Sequence, residues 1–473
     1  MSYSEAQRAF SMGRLDHSRE LISGVLIKKP NDVSVLKMAI QICLAQGDLS
    51  ALYIYCKRIL KVDPNDLFSQ IHIGHACISM GRPEEILNIC NNNSFRPELL
   101  FTLSVASRST GNIDIARTKI KELQKIEGNT SRVQKFLIDI DLEESSDPSL
   151  GLSILEKYNL ENMGTELKRF VHFKRAELLD KMGEYDQAFK EASLAHKNAP
   201  KVDIDIINKI TETIISQLNE KLISSLPSLS LGDRFLTLII SSPRAGSSLL
   251  ERLLNSHPSI CGVGELSELT ILSRRMHGQS TSNSSYPNSL LGVDLDFMRK
   301  LSMTSMARLK KIAQNKRRLV IKDLMQVRHG VLIKAFFKNS TVINLLRDKR
   351  DVAVSCWLSG LDVDLHSWTN DLHSISTYLL AHSRLSKHLE NIQLKHHMNI
   401  NYEDVILNPN DTLRYICKKM EVPWNDKILD IESRQNRLPT VQSRLVSSEI
   451  TNQSIGRWKN YEKHLGSILE KLA

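Results

Sequence analysis

The sequence predicts two joined architectures: an α-helical solenoid of repeated hairpins, then an α/β domain with a mostly parallel sheet. Three observations carry this. A glycine-opened motif recurs every 34 residues in the first half, apolar β-branched runs alternate with helical stretches in the second, and the run "FLTLIISSPRAGSSLLERLLNSHP" passes from strand through a polar turn into helix.

The repeat comes first along the chain. Gly13, Gly47 and Gly81 open the strings "GRLDHSRELI", "GDLSALYIYC" and "GRPEEILNIC" at intervals of 34 residues, and Pro30 and Pro64 follow the first two at a shared offset of 17. Gly183 and Pro200 reproduce that offset, and Ala176, Ala188 and Ala195 supply small side chains between helices. This is the tetratricopeptide period and layout, one helical hairpin per repeat. Gly111 marks an irregular repeat, and a degraded one is expected between 130 and 165. Repeats are assigned to 1–205, and a capping helix ("DIDIINKITETIISQLNEKLIS") with a Pro227/Gly232 link to 206–232. The inner face of such a solenoid either binds a peptide or packs on the second domain.

Cysteine usage follows the same period: Cys43 and Cys77, and Cys56 and Cys90, are each 34 residues apart, which places them in recurring core slots. No CxxC or Cys/His cluster has metal-ligand spacing, so neither a metal site nor a disulfide framework is expected, and a reducing, cytoplasmic setting fits. No run of about 18 to 20 apolar residues predicts a membrane span, and no signal-peptide core is read near Met1. The 63 Lys and Arg against 53 Asp and Glu give +10, a mild excess that favours an anionic ligand without indicating nucleic acid.

In 233–473 the runs "FLTLII", "RRLVIKD", "STVINLLRD" and "HMNINYED" read as strands separated by helices. Ligands of such sheets bind at the carboxyl ends of strands. The turn Ser241–Ser248 opens a helix with unpaired backbone N–H groups, hydroxyls and Arg244, a set suited to an oxyanion. A helix cap is the competing reading, with Ser248 and Glu251 at capping-box spacing, and the two are compatible. An ATP loop is disfavoured, because Ser247 stands where that motif needs Lys. In "LLRDKRDVAVSCW", Arg347 at a strand end and Ser355 on the next helix could converge on a second phosphate, or the charges could form a solvated cluster.

Together "SSPRAGSSLLERLLNSHP", "RDKRDVAVSCW", "NYEDVILNP" and "SIGRWKNYEKHL" resemble the sulfotransferase superfamily in order and spacing. With repeats in front, the chain is similar to tetratricopeptide-fused sulfotransferases, whose P-loop-like catalytic half resembles tyrosylprotein sulfotransferases. The resemblance covers Arg234 to Leu465 and most of 1–205. It implies 3′-phosphoadenosine 5′-phosphosulfate (PAPS) as donor, adenosine 3′,5′-bisphosphate as product, and no metal. Arg244, Ala245, Gly246, Ser247 and Ser248 would take the phosphosulfate end, Arg347 and Ser355 the 3′-phosphate, with Tyr402 near the nucleotide. Gly456, Arg457, Trp458 and Lys459 match the segment that closes over it. Ser247–Ser248, Ala245 and Lys349 depart from the commoner Thr–Thr, Ser and Pro, yet hydroxyl and cationic chemistry survives.

The same resemblance implies Glu265 as general base and Lys322 as the cation on the bridging oxygen; Glu268 is the rival base, and Ser454, two residues before Gly456, is a further candidate for the set. His257 is expected to be a structural helix-end residue. The acceptor would be a hydroxyl compound (protein tyrosine, glycan or small molecule), with the repeats available to bind a peptide or protein; homodimerisation stays open. The competing functions are a repeat scaffold with an inactive nucleotide domain, and a phosphate-transferring kinase.

Overall fold

The glycines of the 34-residue ladder sit where the chain reverses between helices: Gly13, Gly47, Gly81, Gly111 and Gly183 all have φ between +72° and +81° or, for Gly47, +69°. Left-handed backbone is open to glycine at no steric cost, and it turns one helix back on the next. The computed structural model describes all residues except 1, 91–95, 146, 159, 198, 201, 230–233, 324–325, 362–365 and 430–451. Gly232 of the expected link therefore lies outside the described residues.

Up to residue 229 the described chain is all helical. Successive helices pair as Tyr3–Ser11 with Leu15–Lys28, Val33–Gln46 with Leu49–Val62, Leu67–Ser79 with Pro83–Ile89, Pro97–Ser109 with Ile113–Glu127, Ser131–Glu144 with Pro148–Glu156, and Thr165–Lys181 with Tyr185–His196. Asp32 and Asp66 cap equivalent helices, each accepting from the backbone N–H three residues on. Cys43, Cys56, Cys77 and Cys90 are buried among aliphatic side chains, and burial pushes the Cys43 and Cys90 thiols up to about 12. The helix Ile204–Gln217, expected to cap the hairpins, breaks before Glu220–Ser225 and packs along Leu372–Asn391 of the second half.

Among the described residues the second half is built on five strands: β1 (Leu236–Ser241), β2 (Ile260–Gly262), β3 (Arg318–Lys322), β4 (Thr341–Leu346) and β5 (His397–Asn401). Every pairing is parallel and the order is β2-β3-β1-β4-β5. Four of these were legible as apolar runs; β2 is three residues long and too short to carry a periodic signal. Alternate side chains serve two cores, as a sheet covered on both faces requires. Ile239, Val320 and Ile343 pack with Leu249, Leu253 and Leu413 on one side. Leu238, Ile240, Leu319, Ile321 and Val342 face the other, where they join one continuous apolar cluster with Ile40, Leu52, Ile73 and Leu99 of the helical half.

The hairpins thus share cores with the sheet domain at both ends. The last pair contributes Phe173, Ala188 and Ala192 to a cluster with Val354, Trp357 and Tyr461, and His196 stacks on Trp357 at 4.2 Å while its Nε2 hydrogen-bonds the Trp357 carbonyl at 2.9 Å. Helices of the first half therefore pack on the second domain. No helix among the described residues is long and apolar enough to cross a membrane.

Candidate active site

Parallel pairing lines up the carboxyl ends of β3, β1, β4 and β5, so Lys322, the turn after Ser241, Arg347 and Tyr402 emerge along one edge. The chain leaves β1 toward β2 and β3 on one side and reaches β4 and β5 on the other, so the switch point of the sheet, where ligands of such sheets bind, falls between β1 and β4. The turn after β1 is shaped by two left-handed residues, Arg244 (φ +65°) and Gly246 (φ +96°). A Cβ at Gly246 would come within 2.3 Å of the Tyr402 ring, so only glycine lets ring and turn approach this closely.

Helix Ser247–Ser256 then begins with Gly246 at its N-cap and no side-chain cap. The capping-box reading of Ser248 and Glu251 is therefore not realised: buried Glu251 accepts from the Gly264 N–H at 2.6 Å, and Ser248 Oγ accepts from Lys322 Nζ at 3.0 Å. The helix's first N–H groups thus carry no side-chain cap, and the Ser248 oxygen is taken by Lys322.

Lys322 Nζ also donates to Glu265 Oε1 at 2.9 Å. Burial alone would pull the Lys322 ammonium down, but Glu265 and Glu251 outweigh it and raise its pKa. Glu268, the rival base, points elsewhere. It is 3% exposed and holds Arg308 at 2.7 Å, with hydrogen bonds from Ser50 and Ser305.

On the β4 side Arg347 Nη1 donates to the Arg244 carbonyl at 2.7 Å and Nη2 to the Ser454 carbonyl at 2.6 Å, while its guanidinium lies 4.5 Å from the Tyr402 ring centre. Among the described residues its buried Nε has no acceptor. Arg244 Nε donates to Ser355 Oγ at 3.0 Å. Ser355 thus meets Arg244 rather than Arg347 directly. Burial, reinforced by the Arg347 and Arg457 charges, holds the Arg244 guanidinium below its ordinary pKa. Such a cluster gains from an anion. Ala245 is wholly buried beneath the turn and Ser247 is buried at the helix start.

The carboxyl-terminal segment is tied down by an aspartate that sequence reasoning missed. Asp351 accepts from the Gly456 N–H at 2.7 Å and the Trp458 N–H at 2.8 Å, and Trp458 lies under Arg350 at 4.0 Å. Inside the alternating string "RDKRD" this buried residue reads as part of a solvated charge run. Arg457 pairs with Asp180 of the helical half at 2.6 Å, and Lys459 is exposed. Ser454 Oγ shares a hydrogen bond with Tyr402 Oη at 2.7 Å and its carbonyl accepts from Arg347, which places it on the Arg347 side rather than with Lys322 and Glu265. His257 closes its helix, hydrogen-bonding the Pro423 carbonyl at 2.8 Å and accepting from the Ser259 N–H at 3.1 Å. Among the described residues, no three His, Cys, Asp or Glu side chains gather as a metal-holding group.

The edge therefore offers two cationic stations on either side of one turn, with a carboxylate at one of them. Residues 237–426 match the family model described as "Sulfotransferase family". An uncharacterized protein of Aquifex aeolicus (strain VF5) is 21% identical over 370 residues, covering 75% of this chain and 49% of that protein. A protein-tyrosine sulfotransferase of Drosophila melanogaster is 24% identical over 197 residues, covering 41% of this chain and 40% of that one. The chain spans about half the length of the curated relatives it matches. Among solved structures, the sulfotransferase domain of the Synechococcus PCC 7002 olefin synthase is 18% identical, covering 50% of this chain and 88% of that one at a TM-score of 0.35. The match to the sulfotransferase family model thus spans the segment that carries the parallel sheet, the turn after β1 and the Lys322–Glu265 pair.

Proposed function

We propose that this chain transfers a sulfuryl group from 3′-phosphoadenosine 5′-phosphosulfate to a hydroxyl acceptor, and that its helical hairpins are tetratricopeptide repeats fused to the catalytic domain. One observation carries the reading most: Lys322 stands between Ser248 at the anion turn and Glu265 at the loop beyond it. The donor supplies a sulfuryl group bearing a single negative charge, which asks less of a metal than phosphoryl transfer does. The protein's part is placement, charge handling and removal of one proton.

In this reading the N–H groups after Gly246, with Ser247, Ser248 and Arg244, hold the phosphosulfate end. Arg347, with its open Nε, and Ser355 hold the 3′-phosphate, and Tyr402 walls the nucleotide. Glu265 takes the acceptor proton, because its side chain is 45% exposed and can be reached from outside, whereas Lys322 is 6% exposed and faces inward. The acceptor is a hydroxyl compound that can approach Glu265. Seven free cysteines support a reducing setting such as the cytoplasm.

Titration with adenosine 3′,5′-bisphosphate, beside ATP with magnesium, tests the assignment. Binding of the bisphosphate and not of ATP supports it; preference for magnesium–ATP would point to a kinase.

A further inference from the structure

The segment Val263–Glu268, which carries Glu265, is gripped from two sides. From the sheet domain, the Val263 N–H donates to the Val320 carbonyl and the Lys322 N–H to the Gly264 carbonyl, both at 3.1 Å, and Glu251 holds the Gly264 N–H. The opposite grip comes from the helical half. Ser79 ends the helix Leu67–Ser79 with its carbonyl so close to Gly264 that a Cβ there would lie 2.7 Å away. Arg82, 8% exposed, reaches Cys261 Sγ at 3.4 Å and the Ile312 carbonyl. Glu268 is bound by Ser50 Oγ at 3.0 Å and by Arg308, which also approaches Asp48 at 3.5 Å, and Asp48 in turn pairs with Arg19 at 2.7 Å.

Buried carboxylates and guanidiniums of this kind are retained at a desolvation cost and act as registers, since only one arrangement satisfies them all. Helix Glu268–Gly278 is further pinned where Arg275 meets Asp16 at 2.7 Å. Contacts from the first three hairpins thus meet the catalytic loop on both flanks of Glu265.

We infer that the first three helical hairpins position the proton acceptor: Ser50 and Arg82 are positioning residues that fix Glu265 against Lys322 through the Cys261–Glu268 segment. This rests on Glu265 acting as base. The repeats then serve the chemical step whether or not they touch the acceptor.

Hydrogen exchange and single-turnover kinetics on the full chain test this, with Ser50→Ala and Arg82→Ala as probes and Arg82→Lys as the conservative control. Exchange of amides in 263–268 should quicken about tenfold in both Ala variants while β1 amides stay unchanged, and Arg82→Lys should recover part of the protection. Loss of labelled sulfate from the donor, to water or to a tyrosine-containing peptide, should slow about tenfold in the wild-type background and not at all beyond Glu265→Gln, because residues acting through one group are not additive. Affinity for adenosine 3′,5′-bisphosphate should hold within about twofold. Unchanged exchange in both Ala variants, or equal rate losses in both backgrounds, overturns the inference. A normal rate for Glu265→Gln alone would instead refute the base assignment, and the exchange data would still judge the grip.

Discussion

Lys322 Nζ and Glu265 Oε1 lie 2.9 Å apart, the lysine side chain 6% exposed and the glutamate 45%. In the proposed function the asymmetry divides labour: a buried cation for the donor side, and a carboxylate open to an incoming hydroxyl. Parallel pairing of β3 with β1, which sets Lys322 beside Ile239, delivers that cation next to the anion turn.

Glu265→Gln keeps the shape of the side chain and removes the proposed proton acceptor. Single-turnover transfer at saturating donor should fall by about 10²–10⁴-fold, with bisphosphate binding nearly intact by calorimetry. Glu268→Gln should cost far less rate, since Glu268 is spent on Ser50, Ser305 and Arg308. A collapsed rate for Glu268→Gln beside a normal one for Glu265→Gln would exchange their roles.

Arg347→Ala should weaken adenosine 3′,5′-bisphosphate binding by roughly 1.5–3 kcal/mol, the range for a charged hydrogen bond. The variant also loses the stack on Tyr402 and the ties to the Arg244 and Ser454 carbonyls. Unchanged affinity in a folded variant removes the proposed 3′-phosphate site.

Gly246→Ala combines a positive φ with a collision against the Tyr402 ring. Strain of this kind costs about 1–3 kcal/mol, so the melting temperature should drop and bisphosphate binding should weaken. Adding Tyr402→Ala removes the collision and should return part of the stability; no recovery would show that the φ angle alone sets the cost.

Acid should loosen the fold through buried histidines. Burial lowers His196 and His382 to about 4 and His329 to about 3, from 6.5. Their folded pKa values are depressed, so the unfolded chain binds more protons as pH falls: their stabilisation is complete above about pH 6.5 and fades toward pH 4. Each should cost roughly 1–2 kcal/mol between about pH 7.5 and about pH 5. Denaturant midpoints should fall over that window, and His196→Phe should flatten the fall while lowering stability at neutral pH. An identical pH slope in that variant would exclude His196 as a contributor.

The strand runs and the glycine ladder were legible because period and punctuation are local properties of a chain. Arg244 and Arg347 could be singled out by type and position, and Lys322 and Glu265 through the resemblance, yet their partners could not, since these depend on which strands lie side by side. Ser248 and Glu251 show the difference: spacing suggests that they cap one helix, whereas tertiary packing sends one to Lys322 and the other to the Gly264 N–H. Asp351 and Ser50 left no local trace, because each is defined by a segment more than 100 residues away. The continuity of the first hairpins' core with one face of the sheet was equally invisible, as both halves carry ordinary apolar patterns.

The most direct test is transfer of labelled sulfate from 3′-phosphoadenosine 5′-phosphosulfate by the full chain, against tyrosine peptides, sugars and small hydroxyl compounds, in excess chelator. Label should appear on at least one hydroxyl acceptor, persist in the chelator, and fall with Glu265→Gln. Absence of label on every acceptor, with phosphate transferred from magnesium–ATP instead, would contradict the account.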